Sequence, residues 1–114
     1  MNKLNICSWN ANGIKNRLSE LIEFLNRFKI DILMVNETKC TSSVKLKIRN
    51  FTCVRKDREN SAGGVAMFIK NNVPYKILNL RKDISIECVG IKLASGLHLI
   101  STYNNPRNQD FRFR

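Results

Sequence analysis

Three kinds of hydrophobic pattern follow one another along this chain. Between Lys3 and Asn10 the apolar positions Leu4, Ile6, Cys7 and Trp9 read as a strand, expected to be buried. "NANG" ends it on residues that tolerate backbone angles a strand cannot use. Leu18, Leu21, Ile22, Leu25 and Phe28 then recur at helical spacing. A helix is expected over 16–28, with Asn16 as its N-cap and Glu20 and Glu23 toward its positive end. "ILMV", Ile32 to Val35, is a continuous apolar strand that ends at Asn36 and Glu37. Strand, helix and strand in such short order is the spacing of a parallel βαβ crossover.

After Lys39 the pattern changes. "CTSSVKLKIRN" is polar and basic and reads as a loop. "FTCVRK", "VAMFIK", "YKILNL", "ISIECVGIKL" and "GLHLISTY" read as strands, separated by "DRENSAGG", Asn71-Asn72 with Pro74, and Ser95-Gly96. From about residue 50 onward this predicts a meander of antiparallel strands. Gly63-Gly64 has no helix after it, so a tight turn is favoured over a phosphate cradle. "ILMV", "VAMFI" and "VGIKL" are apolar on both faces and need cover on both sides. One helix covers one face, so the other is expected to be bare and open to self-association.

Composition adds one thing to this picture, the charge. Twenty Lys and Arg against nine Asp and Glu give a net +11, with a pI near 10.0. The excess is uneven: residues 1–40 carry a net +2 and residues 41–114 a net +9. Such a surface attracts polyanions. The four cysteines lack any CxxC spacing, which predicts free thiols rather than a zinc or redox motif. No signal peptide is evident, and the longest apolar run is too short to span a bilayer, so an intracellular, membrane-free protein is expected.

In open α/β sheets, chemistry gathers at the carboxyl ends of strands. Asn10, Glu37, and Tyr103 with Asn104 stand at three such ends. An amide, a carboxylate and a phenol converging there suit a hard cation and a phosphate. Magnesium takes few protein carboxylates, keeps waters, and draws its remaining ligands from substrate phosphate. Asn10, Glu37 and Tyr103 are therefore expected on one edge of the sheet. On spacing alone each also has an ordinary reading, as a turn residue, a solvated loop charge and a half-buried aromatic. The only histidine, His98, reads as a sheet residue.

"ICSWNANGI", "DILMVNETK", "GGVAMFIKN" and "LISTYNNP", in that order, resemble the endonuclease/exonuclease/phosphatase superfamily. The details look most like the endonuclease domain of non-LTR (LINE-like, jockey-type) retrotransposons. The resemblance implies an α/β fold, the N-terminal half of a four-layer α/β/β/α sandwich, with residues 1–114 a partial domain truncated at the C-terminus. It implies that Asn10 orients a catalytic group or the phosphate, that Glu37 binds Mg2+ (or Mn2+), and that Tyr103 contacts the scissile phosphate. Asn12 falls where other branches carry an acidic residue, and is placed with Lys45, Lys47 and Arg49 as a DNA contact. Nuclear action follows from the same resemblance.

The family pattern continues with an Asp-x-Asn strand end and an Asp-His pair that supplies the general base. Here Asp31, Asp57, Asp83 and Asp110 stand in neither. The expectation is thus a fragment of a metal-dependent DNA endonuclease, inactive alone. Two alternatives accompany it. One is a non-catalytic basic module that binds nucleic acid through Lys45 to Arg49, Arg55, Lys56 and Arg58. The other is part of a superfamily phosphatase.

Overall fold

The computed structural model describes residues 3–57, 63–80 and 86–104, and only the backbone of Ile86, Glu87, Tyr103 and Asn104. Its elements are β1 (Ile6–Asn10), α1 (Leu18–Arg27), β2 (Ile32–Asn36), β3 (Phe51–Lys56), β4 (Val65–Lys70), β5 (Tyr75–Ile77), β6 (Ile86–Leu93) and β7 (His98–Asn104). β1 and β2 pair in parallel, as the βαβ spacing predicts. Asn16 does not cap the helix. It sits inside a 3-10 turn, Lys15–Arg17, and α1 starts one turn later without a side-chain cap.

The antiparallel strands do not form one meander. β4 and β3 complete a first sheet of order β1-β2-β4-β3, while β5-β6-β7 form a second. The change of sheet falls at Val73-Pro74, between β4 and β5. Proline has no N–H to carry a ladder onward, which suits a break at this point.

The second sheet supplies the layer that the sequence pattern does not reveal. Side chains alternate across a strand, so a doubly apolar strand feeds two cores. Leu33, Val35, Ala66 and Phe68 join Leu21 and Leu25 of α1 on one side. Ile32, Val65, Met67 and Ile69 pack against Val89, Ile91 and Leu93 of the second sheet on the other. The layers are therefore helix, sheet, sheet. The expected bare face of the first sheet is covered, and self-association through it loses its basis.

The basic loop after Lys39 also departs from expectation. It carries no ladder, yet it alternates: Leu46 and Ile48 are buried in the α1-side core while Lys45, Lys47 and Arg49 are exposed. Arg55 on β3 holds this strap down. Its guanidinium donates to the carbonyls of Val44 (2.7 Å) and Thr41 (3.1 Å) and pairs with Asp57 at 3.0 Å. Arg55 is thus committed internally and is not a phosphate contact. Arg58 lies outside the described residues. The cysteines are unpaired. Burial pushes the half-buried Cys53 thiol up to about 11 and raises that of the fully buried Cys40 as well.

Candidate metal and phosphate site

The loops leaving β1 and β2 are joined by main-chain hydrogen bonds beyond the strands themselves. Ala11 N donates to Asn36 O (2.9 Å), Gly13 N to Glu37 O (2.9 Å) and Ile14 N to Thr38 O (3.0 Å). On the far side, Thr38 N donates to Gly64 O (3.2 Å) and Lys39 N to Gly63 O (2.7 Å). Three loops are locked side by side at one edge of the first sheet.

The locking demands an unusual backbone. Asn12, Gly13, Glu37, Lys39, Gly63 and Gly64 all have positive φ, between 46° and 98°. Asparagine and glycine reach this region cheaply, whereas glutamate and lysine do so at a cost of order 1–3 kcal/mol each. Gly64 is required twice over. Its φ is +88°, and a Cβ there would lie 2.3 Å from Thr38 Oγ1. The Gly63-Gly64 turn expected from the sequence thus also clamps the exit from β2.

This backbone brings Asn10 and Glu37 together. Asn10 Nδ2 donates to Glu37 Oε2 at 2.5 Å, and Asn10 Oδ1 accepts from Asn12 N at 3.1 Å. The amide is thereby oriented and holds one carboxylate oxygen. Lys39 Nζ donates to Asn12 Oδ1 at 2.6 Å, which ties the lysine to the same turn. Lys39 is a member of the cluster that the sequence reading left out. Nothing in the quoted "NETK" marks it beyond its place two positions after Glu37.

β7 reaches the same edge. Asn36 Nδ2 donates to Thr102 O at 3.2 Å, and Ser101 Oγ donates to Val35 O at 3.3 Å. These bonds fasten the end of β7 to the end of β2 and put the Tyr103 backbone one residue beyond the tie. The Tyr103 side chain lies outside the described residues. Asn36 was likewise read only as a strand terminus. Its Oδ1 and Thr38 Oγ1 are buried acceptors without a hydrogen-bond partner among the described residues. Lys45, Lys47 and Arg49 are not in this cluster. They line the strap on the α1 side, which leaves the site at Cys40 and reaches the opposite sheet edge at Asn50, where Asn71 N donates to Asn50 O at 2.9 Å. His98 opens β7 as an exposed strand residue opposite Lys92.

Among the described residues no group of three or more His, Cys, Asp or Glu side chains surrounds a common point. Among the described residues the donor set is one carboxylate, whose Oε1 accepts no hydrogen bond, and a fixed amide. That does not suit zinc, which needs three or four nitrogen, sulfur or oxygen ligands. It does suit a hard cation that keeps its waters and shares substrate phosphate.

The chain belongs to the endonuclease/exonuclease/phosphatase family, whose model matches residues 7–111. Among curated relatives, it is 33% identical over 104 residues to the probable RNA-directed DNA polymerase from transposon BS of Drosophila melanogaster, covering 85% of this chain and 11% of that protein. It is 33% identical over 78 residues to the corresponding protein of transposon X-element from the same organism, covering 66% of this chain and 9% of that one. The chain therefore spans about a tenth of the length of these relatives. Among solved structures, an AP endonuclease from Archaeoglobus fulgidus superposes with TM-score 0.63 at 27% identity, covering 89% of this chain and 41% of that one. A 3'-5' exonuclease from Neisseria meningitidis superposes with TM-score 0.67 at 21% identity, over 92% and 46%. A Neisseria 3' phosphatase bound to product DNA hairpin shares the fold at TM-score 0.67 and 20% identity, over 95% and 47%. Fold and family are thus those of nucleases and phosphatases, and the likeness to retrotransposon proteins is one of sequence.

Proposed function

We propose that residues 1–114 are the N-terminal part of a metal-dependent DNA endonuclease domain of retrotransposon type. The observation that carries this reading is the bond from Asn10 to Glu37 at three interlocked strand ends. Glu37 holds a magnesium or manganese ion through Oε1, and Asn10 fixes the carboxylate that does so. Such an ion, when bound, offsets the charge developing on a phosphate and its leaving oxygen. Tyr103 contacts the scissile phosphate. Asn12 and Lys39 meet the adjoining phosphate, and Lys45, Lys47 and Arg49 bind the DNA backbone without reading its sequence. Action in the nucleus belongs to the same reading.

Cutting is not expected from this chain alone. A positioned general base contributes about 10²–10⁴-fold, and the Asp-x-Asn and Asp-His motifs that supply it in the family are absent from the sequence. The second reading, a basic module that binds without cutting, is favoured by the exposed strap and shares this expectation. Three measurements separate the possibilities. Supercoiled plasmid incubated with the protein and magnesium should stay unnicked. Manganese, followed by electron paramagnetic resonance, should bind the wild type at least about tenfold more tightly than Glu37→Gln, since that change removes the charge attracting the ion. Unchanged manganese binding in Glu37→Gln removes the metal site and leaves the binding module. Nicking that disappears in Glu37→Ala shows instead that this half of the fold suffices for catalysis.

A further inference from the structure

We infer that Arg55 is a positioning residue for DNA: it latches the basic strap so that Lys45, Lys47 and Arg49 stand in one fixed row leading away from the metal site. The inference rests on the reading that these three side chains bind the DNA backbone, and adds what aligns them. The strap needs holding, because residues 45–48 belong to neither sheet. Segments without ladder bonds open easily. Yet their side chains alternate as in a strand. Leu46 and Ile48 are 6% and 4% exposed in the α1-side core, while Lys45, Lys47 and Arg49 face outward. An extended chain rises about 3.3 Å per residue, which spaces the three cations about 6–7 Å apart along one line. Burying three cations without counter-charge is costly. Whatever else packs on this chain, the row faces water or an anion.

The far end of the strap is closed by Phe51 N, which donates to Ile48 O at 3.1 Å. The near end is a turn, Thr41 to Val44, in which Val44 N donates to Thr41 O at 3.1 Å. Arg55 grips both ends of that turn. Its Nη1 donates to Val44 O at 2.7 Å and its Nη2 to Thr41 O at 3.1 Å. Asp57 aims the guanidinium: Nε donates to Oδ2 and Nη2 to Oδ1, each at 3.0 Å. A planar fork makes these contacts together, and an ammonium cannot.

The pairing has a second effect. Asp57 is the one carboxylate within residues 41–57. Engaged through both oxygens by Arg55, it is not free to pair with the strap, and the charge of the row is left for a polyanion. β3 also ties the latch to the site. Arg55 registers with Ala66, two positions from Gly64, whose carbonyl accepts from Thr38 N at 3.2 Å. The row and Glu37 are thus set in one frame.

The test is the salt dependence of duplex-DNA binding by the 114-residue chain, in variants whose circular dichroism is unchanged. Each phosphate contact contributes about 0.9 to the slope of log affinity against log salt. Lys45→Gln, Lys47→Gln and Arg49→Gln together should lower the slope by about 2–3. Arg55→Lys keeps the net charge and breaks the fork, and should lower it by at least about 0.9. A change that only loosened the fold would lower Tm and leave this slope intact. Added to the triple variant, Arg55→Lys should change the slope no further, because it acts through those side chains. In the unmodified chain, duplex DNA should protect Lys45 and Lys47 together from acetylation. A wild-type slope in the triple variant removes the DNA-binding reading and this inference with it. A lowered slope there with an unchanged slope in Arg55→Lys overturns the latch alone, as does a further loss on adding Arg55→Lys to the triple. Protection of only one of the two lysines overturns the row even where Arg55→Lys does not fold.

Discussion

β4 and β1 are both apolar strands of the same sheet, and they live in opposite environments. Five of the six residues of β4 are buried, while β1 alternates between exposed and half-buried. β4 has β2 and β3 on its flanks, a helix layer above and a second sheet below. Among the described residues β1 is paired on one flank, by β2, and three of its five residues are exposed. Hydrophobic pattern tells which residues belong on a strand. It does not tell how many neighbours the strand acquires, because that depends on pairings far away in sequence. The difference is energetic, and it can be measured.

The largest effect is expected at the centre of β4. Phe68 is fully buried, and its register partners Leu33 and Cys53 leave it no route to solvent. Phe68→Ala removes its contacts and leaves a cavity, costing about 3–5 kcal/mol. Native domains are stable by only about 5–15 kcal/mol, so the variant should be largely unfolded at modest urea. A midpoint within error of the wild type would show that this core is looser than its burial implies.

A smaller loss is expected where β4 begins. Gly64→Ala forces a side chain into a left-handed backbone, costing roughly 1–2 kcal/mol. It also drives the new Cβ against Thr38 Oγ1, 2.3 Å away. Thr38→Ala removes the obstructing atom, and the two changes should couple in a double-mutant cycle. The double variant should recover the clash and keep the backbone penalty. Strict additivity would mean that the turn relaxes away from Thr38, and that Gly64 is required for its φ alone.

The sequence carried the elements better than their neighbours. β1, β2, β3, β4 and the parallel βαβ start were legible because each has its own period and its own terminators. The second sheet's position was not. Val89, Ile91 and Leu93 look like any half-buried strand until they are seen to cover Ile32, Met67 and Ile69. Asn10 and Glu37 could be picked out because both close strands with polar residues where apolar ones precede. Lys39 could not, since its role comes from a φ of 52° that turns it back to Asn12. Arg55 was misread for the complementary reason. A lone arginine in a basic stretch looks like a phosphate contact, and only the folded strap reveals the carbonyls it binds.

The smallest effect is expected on β1, and it draws the contrast within a single row of the sheet. Ile6 registers with Ile32, and Ile32 with Ile69. The three side chains stand on one face, yet Ile6 is 37% exposed while Ile32 and Ile69 are 0% exposed. Lysine at position 6 can keep its stem along the sheet and its ammonium in water. Lysine at 32 or 69 has no such path, and the buried charge should prevent folding. Ile6→Lys should therefore lie within about 0.5 kcal/mol of the wild type, the range of ordinary surface substitutions. If urea unfolding at low protein concentration shows Ile6→Lys weakened by several kcal/mol, β1 is sealed by contacts that its exposure does not reveal, and the distinction between the two strands collapses.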